Sequence, residues 1–245
     1  MVSKQGSNMS NDRALLDLSI VIPSYNERNR IFKTLDAYTS FFDTKKIRYE
    51  IIVADISTDG SKELIRKYQK KHKNVVVLDI KQRGKGLAVF EGFKISKGKL
   101  LSFTDADNAT PPPEFFKLYG ELEGFDAAIG SRGMRRSKVV NYHQSFFRRL
   151  GSFVLGVVFV YFIFGLHIHD TQCGAKIFRR EKILKVLPKM RITNSIFDIE
   201  LLWRFSKIGK INEVPIKWVD DNFSHFRWSE TISEFFWLLR VRFGL

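Results

Sequence analysis

The sequence predicts an α/β domain: a mostly parallel sheet with helices on both faces. Short apolar runs recur between residues 18 and 130 with little apolar-polar alternation, as in strands buried on both faces. Stretches with helical spacing fall between them. The chain has 245 residues, is 44% hydrophobic and shows no internal repeat or long linker, which fits one large domain with a full core.

Residues 1–16 are polar and lack an apolar core, so they are expected as a disordered tail and not a signal peptide. Strands are expected at 18–23, 50–54, 75–80, 100–104 and 127–130, and helices at 28–42, 60–72, 85–96 and 112–123. After Arg132 the rhythm changes. A basic loop leads into a long apolar segment, then a strand at 175–178, a helix near 196–208, a strand at 213–219 and an aromatic terminal helix from about Ser229.

Between Arg149 and Asp170 lie 20 residues without a formal charge. A membrane span takes ~20 apolar residues. A single crossing would put residues 105–107 and 170–179 on opposite sides of the bilayer. If they share one site, the segment is a buried or interfacial helix, or a shallow hairpin broken near Gly165. The terminal stretch 232–245 joins Phe235, Phe236, Trp237, Leu238 and Leu239 to Arg240 and Arg242, which suits a helix at a membrane surface or an ordinary core helix.

Lysine and arginine outnumber aspartate and glutamate 41 to 26, a formal charge of +15. Such an excess implies anionic partners: nucleic acid, nucleotide phosphates or anionic lipid. The single Cys173 excludes an internal disulfide framework and suits a reducing compartment.

The most informative feature is Asp105-Ala-Asp107, which closes the apolar run 100–104. Residues two apart in a strand point to the same side, so two carboxylates meet at the strand end where open α/β sheets bind ligands. Paired hard oxygens suit Mg²⁺ or Mn²⁺, which bind through one or two carboxylates plus substrate phosphates. Val21-Ile-Pro-Ser-Tyr-Asn-Glu27 would end the first strand in a turn that offers its backbone and Tyr25 to a ligand. Arg83-Gly-Lys-Gly86 sets glycines and a basic pair at a helix start, where backbone N–H groups can take phosphate oxygens. Asp59-Gly-Ser61 suits a helix N-cap and turn. From Gly130 to Arg149 there is no acid, but Arg132, Arg135, Arg136, Lys138, Arg148 and Arg149 are present, and arginine forks pair with phosphate.

Together with Asp170-Thr-Gln-Cys-Gly-Ala-Lys-Ile-Phe-Arg179, Phe197-Asp-Ile-Glu-Leu201 and Val214-Pro-Ile-Lys-Trp218, these motifs resemble the family-2 glycosyltransferases of the GT-A fold. Within that family the chain is most similar to the polyprenyl-phosphate hexose synthases, on the dolichyl-phosphate glucosyltransferase branch. The resemblance covers about residues 17 to 240. It implies a single Rossmann-like domain over 17–245, with a nucleotide-sugar half (17–132) and an acceptor half (133–245). The acceptor half would carry interfacial amphipathic helices at about 150–168 and 230–245.

Residue roles follow from the resemblance alone. Pro23 and Tyr25 would pack near the nucleobase, Glu27 would bond the ribose and Asp55 the base edge. Ala54 departs from the family's paired acids, and Ile56 replaces a small residue. Lys85 would face the diphosphate. Asp105 would lie by the donor, Ala106 against the nucleotide sugar, and Asp107 on the metal. Gln172 would face the sugar or metal, and Lys176 and Arg179 would reach phosphates. Arg132 and Arg148 would hold the acceptor phosphate, with Arg135 and Arg136 facing headgroups. Asp198 and Glu200 would shape the site or close a helix contact.

The implied reaction is an inverting transfer of a hexose, glucose from UDP-glucose, onto dolichyl or polyprenyl phosphate, giving a β-linked lipid-phosphate sugar. A phosphate nucleophile has a second pKa of ~6 and is already ionised at neutral pH, so positioning and charge stabilisation matter more than a general base. The cofactor would be Mg²⁺ or Mn²⁺. The enzyme would associate with the cytoplasmic face of a membrane, plasma membrane or endoplasmic reticulum. GDP-mannose and UDP-N-acetylglucosamine are the rival donors. A processive polysaccharide synthase would need a Gln-x-x-Arg-Trp motif, but Ser224 stands in the Gln place before Arg227-Trp228. A nucleic-acid-binding module would explain the charge but not Asp105, Asp107 or the Asp170 segment.

Overall fold

A computed structural model of the chain describes residues 16–140, 160–219 and 228–244. Residues 1–15 of the expected tail, Arg148 and Arg149, residues 151–159 of the apolar segment and Ser224–Arg227 lie outside the described residues, whereas Leu16, placed in the tail by the sequence, opens the first strand.

Seven strands form one sheet: β1 (Leu16–Ser24), β2 (Tyr49–Asp55), β3 (Val75–Asp79), β4 (Gly98–Phe103), β5 (Ala127–Ser131), β7 (Lys176–Arg179) and β8 (Ile211–Pro215). Their order is β3-β2-β1-β4-β7-β5-β8, and only β7 runs antiparallel to its neighbours. Between the first five lie α1 (Ile31–Asp43), α2 (Ser61–Lys71), α3 (Lys85–Ile95) and α4 (Pro112–Gly120). The predicted fold class therefore holds.

Both sheet faces are covered, and the strand period explains how. On β1, Leu18, Ile20 and Ile22 pack with Leu35, Tyr38 and Phe42 of α1 and Phe115 of α4, while Val21 faces Val89 and Phe93 of α3. On β2, Ile51 and Val53 take the first face, Ile52 and Ala54 the second. With apolar residues needed on both sides, the strands show no polar stripe.

Sequence order reverses between β1 and β4: β2 and β3 continue to one side of β1, and β4 returns to the other. Open α/β sheets bind ligands at such a switch point, outside the carboxyl ends of the strands. There α1 grips the loop after β4. Thr34 Oγ1 donates to Ala106 O at 2.6 Å, and Tyr38 Oη donates to Thr110 O at 2.9 Å.

After β5 a tight turn leads into β6 (Lys138–Val140), and α5 (Val160–Phe164) precedes β7. Then come α6 (Arg180–Val186), which the sequence reading missed, α7 (Phe197–Ser206), β8, β9 (Lys217–Val219) and α8 (Trp228–Phe243). The single strand expected at 213–219 is two strands. Pro215 has no N–H to continue a ladder, and the chain leaves the sheet there, so β9 pairs with β6 instead. No helix among the described residues is long and apolar enough to cross a membrane.

Candidate active site

The carboxyl ends of β1, β4 and β5, the start of β7 and the start of α3 converge on Asp105. The Thr104 N–H still bonds Val21 O, so the 104–107 loop begins as a continuation of the sheet. Asn108 has φ +58°, a left-handed turn that asparagine tolerates. That turn brings the Ala109 N–H onto Asp107 Oδ1 at 2.9 Å.

Lys85 Nζ lies 2.6 Å from Asp105 Oδ1. From the opposite side the 170–174 turn closes on the same carboxylate, and a Cβ on Gly174 would fall onto Asp105 Oδ2. Burial acts to raise the Asp105 pKa, but Lys85, followed by Lys176 and Arg132, holds it below the ordinary carboxylate range. Burial, then the Asp105 charge, pushes Asp107 up to about 6. Two acids at one strand end thus titrate apart, and a divalent cation would relieve the repulsion that separates them. The donor set fits such an ion. No group of three or more His, Cys, Asp or Glu ligands occurs among the described residues. Two carboxylates completed by substrate phosphates is the usual Mg²⁺ arrangement.

Among the described residues, three buried side-chain polar atoms have no hydrogen-bond partner: Ser24 Oγ, Asn108 Oδ1 and Gln172 Nε2. Ser24 ends β1, Asn108 follows the acid pair, and Gln172 sits in the turn against Asp105. Buried polar groups without partners are costly, and all three stand at the carboxyl end of the sheet near the acid pair, where a polar ligand would satisfy them.

Pro23 and Tyr25 stand at the end of β1, as expected. Tyr25 is 43% exposed, with the Arg83 guanidinium 4.5 Å above its ring. Asp55 is fully buried and accepts Ser57 N–H and Oγ–H at 3.1 and 2.6 Å. Glu27 takes a two-pronged ion pair from Arg30 at 2.7 and 2.8 Å. Ala106 is buried, with its carbonyl held by Thr34.

On the other flank, Arg132 grips Asp170 through Nε and Nη2 at 2.7 and 2.9 Å, and its own N–H adds a third bond at 2.9 Å. The guanidinium lies 5.2 Å from the Trp218 ring centre. Burial opposes the charge on both partners, yet each holds the other ionised, with Arg132 raised and Asp170 lowered. The reading that Arg132 simply awaits a phosphate is therefore revised: half of its fork braces the 170–174 turn. Glu213 completes that brace by accepting the N–H groups of His169 and Asp170 at 3.0 and 2.9 Å.

Three other expectations are corrected. Arg179 pairs with Leu100 and Lys176 with Phe103, because β7 is antiparallel to β4. Arg179 thus lies at the far end of the sheet, where it bonds Phe125 O and Leu122 O at 2.9 and 3.2 Å, and it cannot reach the donor. Lys176 is at the right end but fully buried, with Nζ 2.6 Å from Asp198 Oδ1 and bonded to Cys173 O, so it supports the site from below. The glycines of 83–86 do not form a phosphate cradle. Thr193 O and Asn194 O already take the Leu87 and Gly86 N–H groups at 3.1 and 3.3 Å, and Cβ atoms at 84 and 86 would strike Thr193 O and Phe197. They are close-packing glycines that bring Lys85 to Asp105.

Asp198 and Glu200, expected to shape the site or close a helix contact, are both buried and ion-paired, Asp198 with Lys176 and Glu200 with Arg204. Glu200 accepts the Ile192 N–H at 2.7 Å and pairs with Arg204 at 2.7 Å. Asp59, as expected, accepts the Ser61 N–H at 3.0 Å at the start of α2. The residues missed by sequence reasoning are Glu213 and Thr34, whose partners are remote in the chain and carry no local pattern; Trp218 stood in a quoted motif but without its contact to Arg132.

Residues 19–187 match the family model described as Glycosyl transferase family 2. The chain is 34% identical over 227 residues to a Drosophila melanogaster dolichyl-phosphate beta-glucosyltransferase, covering 85% of this chain and 69% of that protein. It is 32% identical over 247 residues to the Homo sapiens dolichyl-phosphate beta-glucosyltransferase, covering 93% and 73%. Among solved structures, it resembles the glucosyl-3-phosphoglycerate synthase of Mycobacterium tuberculosis with Mn²⁺, uridine diphosphate and glucosyl-3-phosphoglycerate. The TM-score is 0.63 at 20% identity, covering 94% of this chain and 81% of that one, which is a likeness of fold.

Proposed function

The chain belongs to glycosyl transferase family 2, and from that premise we propose that it transfers glucose from UDP-glucose to dolichyl or polyprenyl phosphate. One observation carries the choice of acceptor. Among the described residues, three carboxylates that meet at the site are held in ion pairs, Asp105 by Lys85, Asp170 by Arg132 and Asp198 by Lys176, and Asp107 is the one assigned to the metal. The nearby imidazole, His169, is largely exposed and held at Nδ1 by Glu213. A hydroxyl acceptor needs a base to take its proton, whereas a phosphate arrives ionised. The relatives' names agree with this reading.

In this account Tyr25 receives the base, Asp55 supports the turn beside it from beneath through Ser57, and Asp105, Asp107 and Gln172 face the diphosphate and sugar. A bound Mg²⁺ or Mn²⁺ would be held by Asp107 and Asp105 and would neutralise the leaving diphosphate. Lys85 keeps Asp105 ionised and in place. The acceptor approaches from the β5/β8 side. There a cavity of about 670 Å³ is lined by Met134, Arg135, Arg136 and Pro215, with Pro215 paired to Ser131 at the same sheet edge. Arg135 and Arg136, with Arg148, are assigned to the acceptor phosphate.

The lipid acceptor requires a membrane surface, and α5 and α8 supply a suitable face. Arg242 Nε bonds Ile163 O at 2.8 Å and joins the two helices. Leu238 and Val241 are buried, whereas Phe162, Phe236, Trp237 and Phe243 are exposed. The exposed Trp237 beside Arg240, with the exposed Lys207 over the buried Trp203 ring, suits an interface with anionic lipid on the cytoplasmic side.

The test is transfer of radiolabelled glucose from UDP-glucose to a polyprenyl phosphate with Mn²⁺. GDP-mannose and UDP-N-acetylglucosamine serve as competing donors at matched concentration. Faster turnover of either rival would overturn the donor, and labelled product without polyprenyl phosphate would overturn the acceptor.

A further inference from the structure

Lys176 and Asp198 are an ion pair inside the core, 0% and 1% exposed at the side chain, with Nζ and Oδ1 2.6 Å apart. The attraction in such a pair often fails to offset the desolvation of both charges, and apolar residues of similar volume are frequently as stable. Stability alone is therefore a poor reason for this pair. Its position suggests another.

Lys176 opens β7 opposite Phe103, directly beneath the 104–107 loop, with Nζ 5.1 Å from the Phe103 ring centre. The same ammonium bonds Cys173 O, next to the Gly174 backbone that presses on Asp105. Asp198 comes from the first turn of α7. Beside it, Phe197 packs on Gly86, and Thr193 O and Asn194 O cap the N-terminus of α3. The start of α7 thus supports Asp105 from two sides: through α3 and Lys85, and through Lys176 and the 170–174 turn.

We propose that Asp198 is a positioning residue for sugar transfer: through Lys176 it holds the 170–174 turn, with Gln172, in register against the Asp105 carboxylate. The inference rests on the reading of Asp105 as part of the donor site. Without the Asp198 charge, Lys176 would be a buried cation drawn to Asp105, where it would compete with Lys85 and any divalent ion. Asp198 makes no contact with substrate in this account and takes no proton.

The experiment compares the wild-type enzyme with Asp198→Asn, Asp198→Glu and the apolar double variant Lys176→Met/Asp198→Leu. Mn²⁺ affinity in the presence of UDP is read by electron paramagnetic resonance, alongside kcat, both KM values and Tm. Asp198→Asn should lower kcat and Mn²⁺–UDP affinity by ~10–100-fold, the scale of losing a supporting shell or a 1 Å displacement, with the acceptor KM unchanged. Asp198→Glu should recover part of the loss. The double variant should match or exceed the wild-type Tm and still lose kcat and Mn²⁺–UDP affinity. Wild-type affinity and kcat in Asp198→Asn, or in a folded double variant, would show the pair to be structural only and overturn the inference. If the wild-type protein itself binds no Mn²⁺–UDP, the donor-site reading fails, and the inference with it.

Discussion

Asp105 occupies the space that a side chain at Gly174 would need: a Cβ there would overlap the carboxylate. The two residues come from different halves of the chain, and they meet because β7 inserts beside β4 with Lys176 opposite Phe103. This contact makes the acid pair and the 170–174 turn one site. A single membrane crossing between them is therefore excluded on geometry.

Gly174→Ala should fold, because the atom in its way is the end of an aspartate side chain and not backbone. The cost should be ~1–3 kcal/mol, as for overpacking generally. Transfer should fall ~100-fold, because the displaced carboxylate misplaces the donor contacts by about 1 Å. Thermal unfolding and kcat with UDP-glucose check both. A wild-type kcat would show that Asp105 needs no fixed position.

Asp107→Asn should abolish metal-dependent transfer while leaving the protein folded. The metal-free protein allows a sharper test. Burial and the neighbouring Asp105 raise the Asp107 pKa from 3.8 to about 6. An acid with a raised folded-state value binds its proton more tightly folded than unfolded. Its contribution is therefore complete below 3.8 and lost as pH rises through about 6. In chelator, Asp107→Asn should melt higher than wild type at pH 8, with the difference vanishing near pH 4. Mn²⁺ with UDP should then stabilise the wild type and not the variant. A lower Tm for the variant in chelator at pH 8 would contradict the crowding of the two acids.

Tyr25→Ala should raise the KM for UDP-glucose ~5–100-fold and leave the acceptor KM unchanged, because base-aromatic stacking is worth ~1–3 kcal/mol per base. Tyr25 is half exposed and touches the rest of the protein mainly through Arg83, so its loss should not disturb the fold. Initial-rate kinetics with each substrate varied in turn separate the two KM values. An unchanged donor KM would move the base elsewhere.

Much of this fold was legible because the residues between 18 and 130 obey simple periods. Both faces of β1 and β2 are buried, so their apolar runs were unmistakable, and Asp105-Ala-Asp107 stands at a strand end, where its spacing has meaning. Strand direction was not legible. Lys176 and Arg179 stand three positions apart, and in an antiparallel β7 that spacing carries Arg179 to the wrong end of the sheet. Nor does sequence spacing show that Asp198, 22 residues on, neutralises Lys176, or that Glu213 braces Asp170 from 43 residues away. These contacts are decided by packing. The glycines of 83–86 misled for a related reason: a glycine that admits a phosphate and one that admits Thr193 O look the same until the tertiary partner is present.

The last prediction concerns the membrane face. Phe162 is 74% exposed, and Phe236, Trp237 and Phe243 are each more than half exposed. Fully burying a large apolar side chain is worth ~1.5–3 kcal/mol, so several of them should together bind a bilayer reversibly without any span. The triple variant Phe162→Ser, Phe236→Ser, Trp237→Ser removes only solvent-facing rings and should keep the wild-type Tm, because Leu238 and Val241 carry the packing of α8. Cosedimentation with vesicles of anionic phospholipid should drop at least ~10-fold. With a short, water-soluble isoprenyl phosphate in detergent-free buffer, the variant should turn over at the wild-type rate. With long polyprenyl phosphate in vesicles it should be slow, and added salt should weaken the residual binding through Arg240 and Lys207. Equal vesicle binding by the two proteins would remove α5 and α8 from the interface. An equal loss with both acceptors would mean that the rings serve the active site and not the membrane.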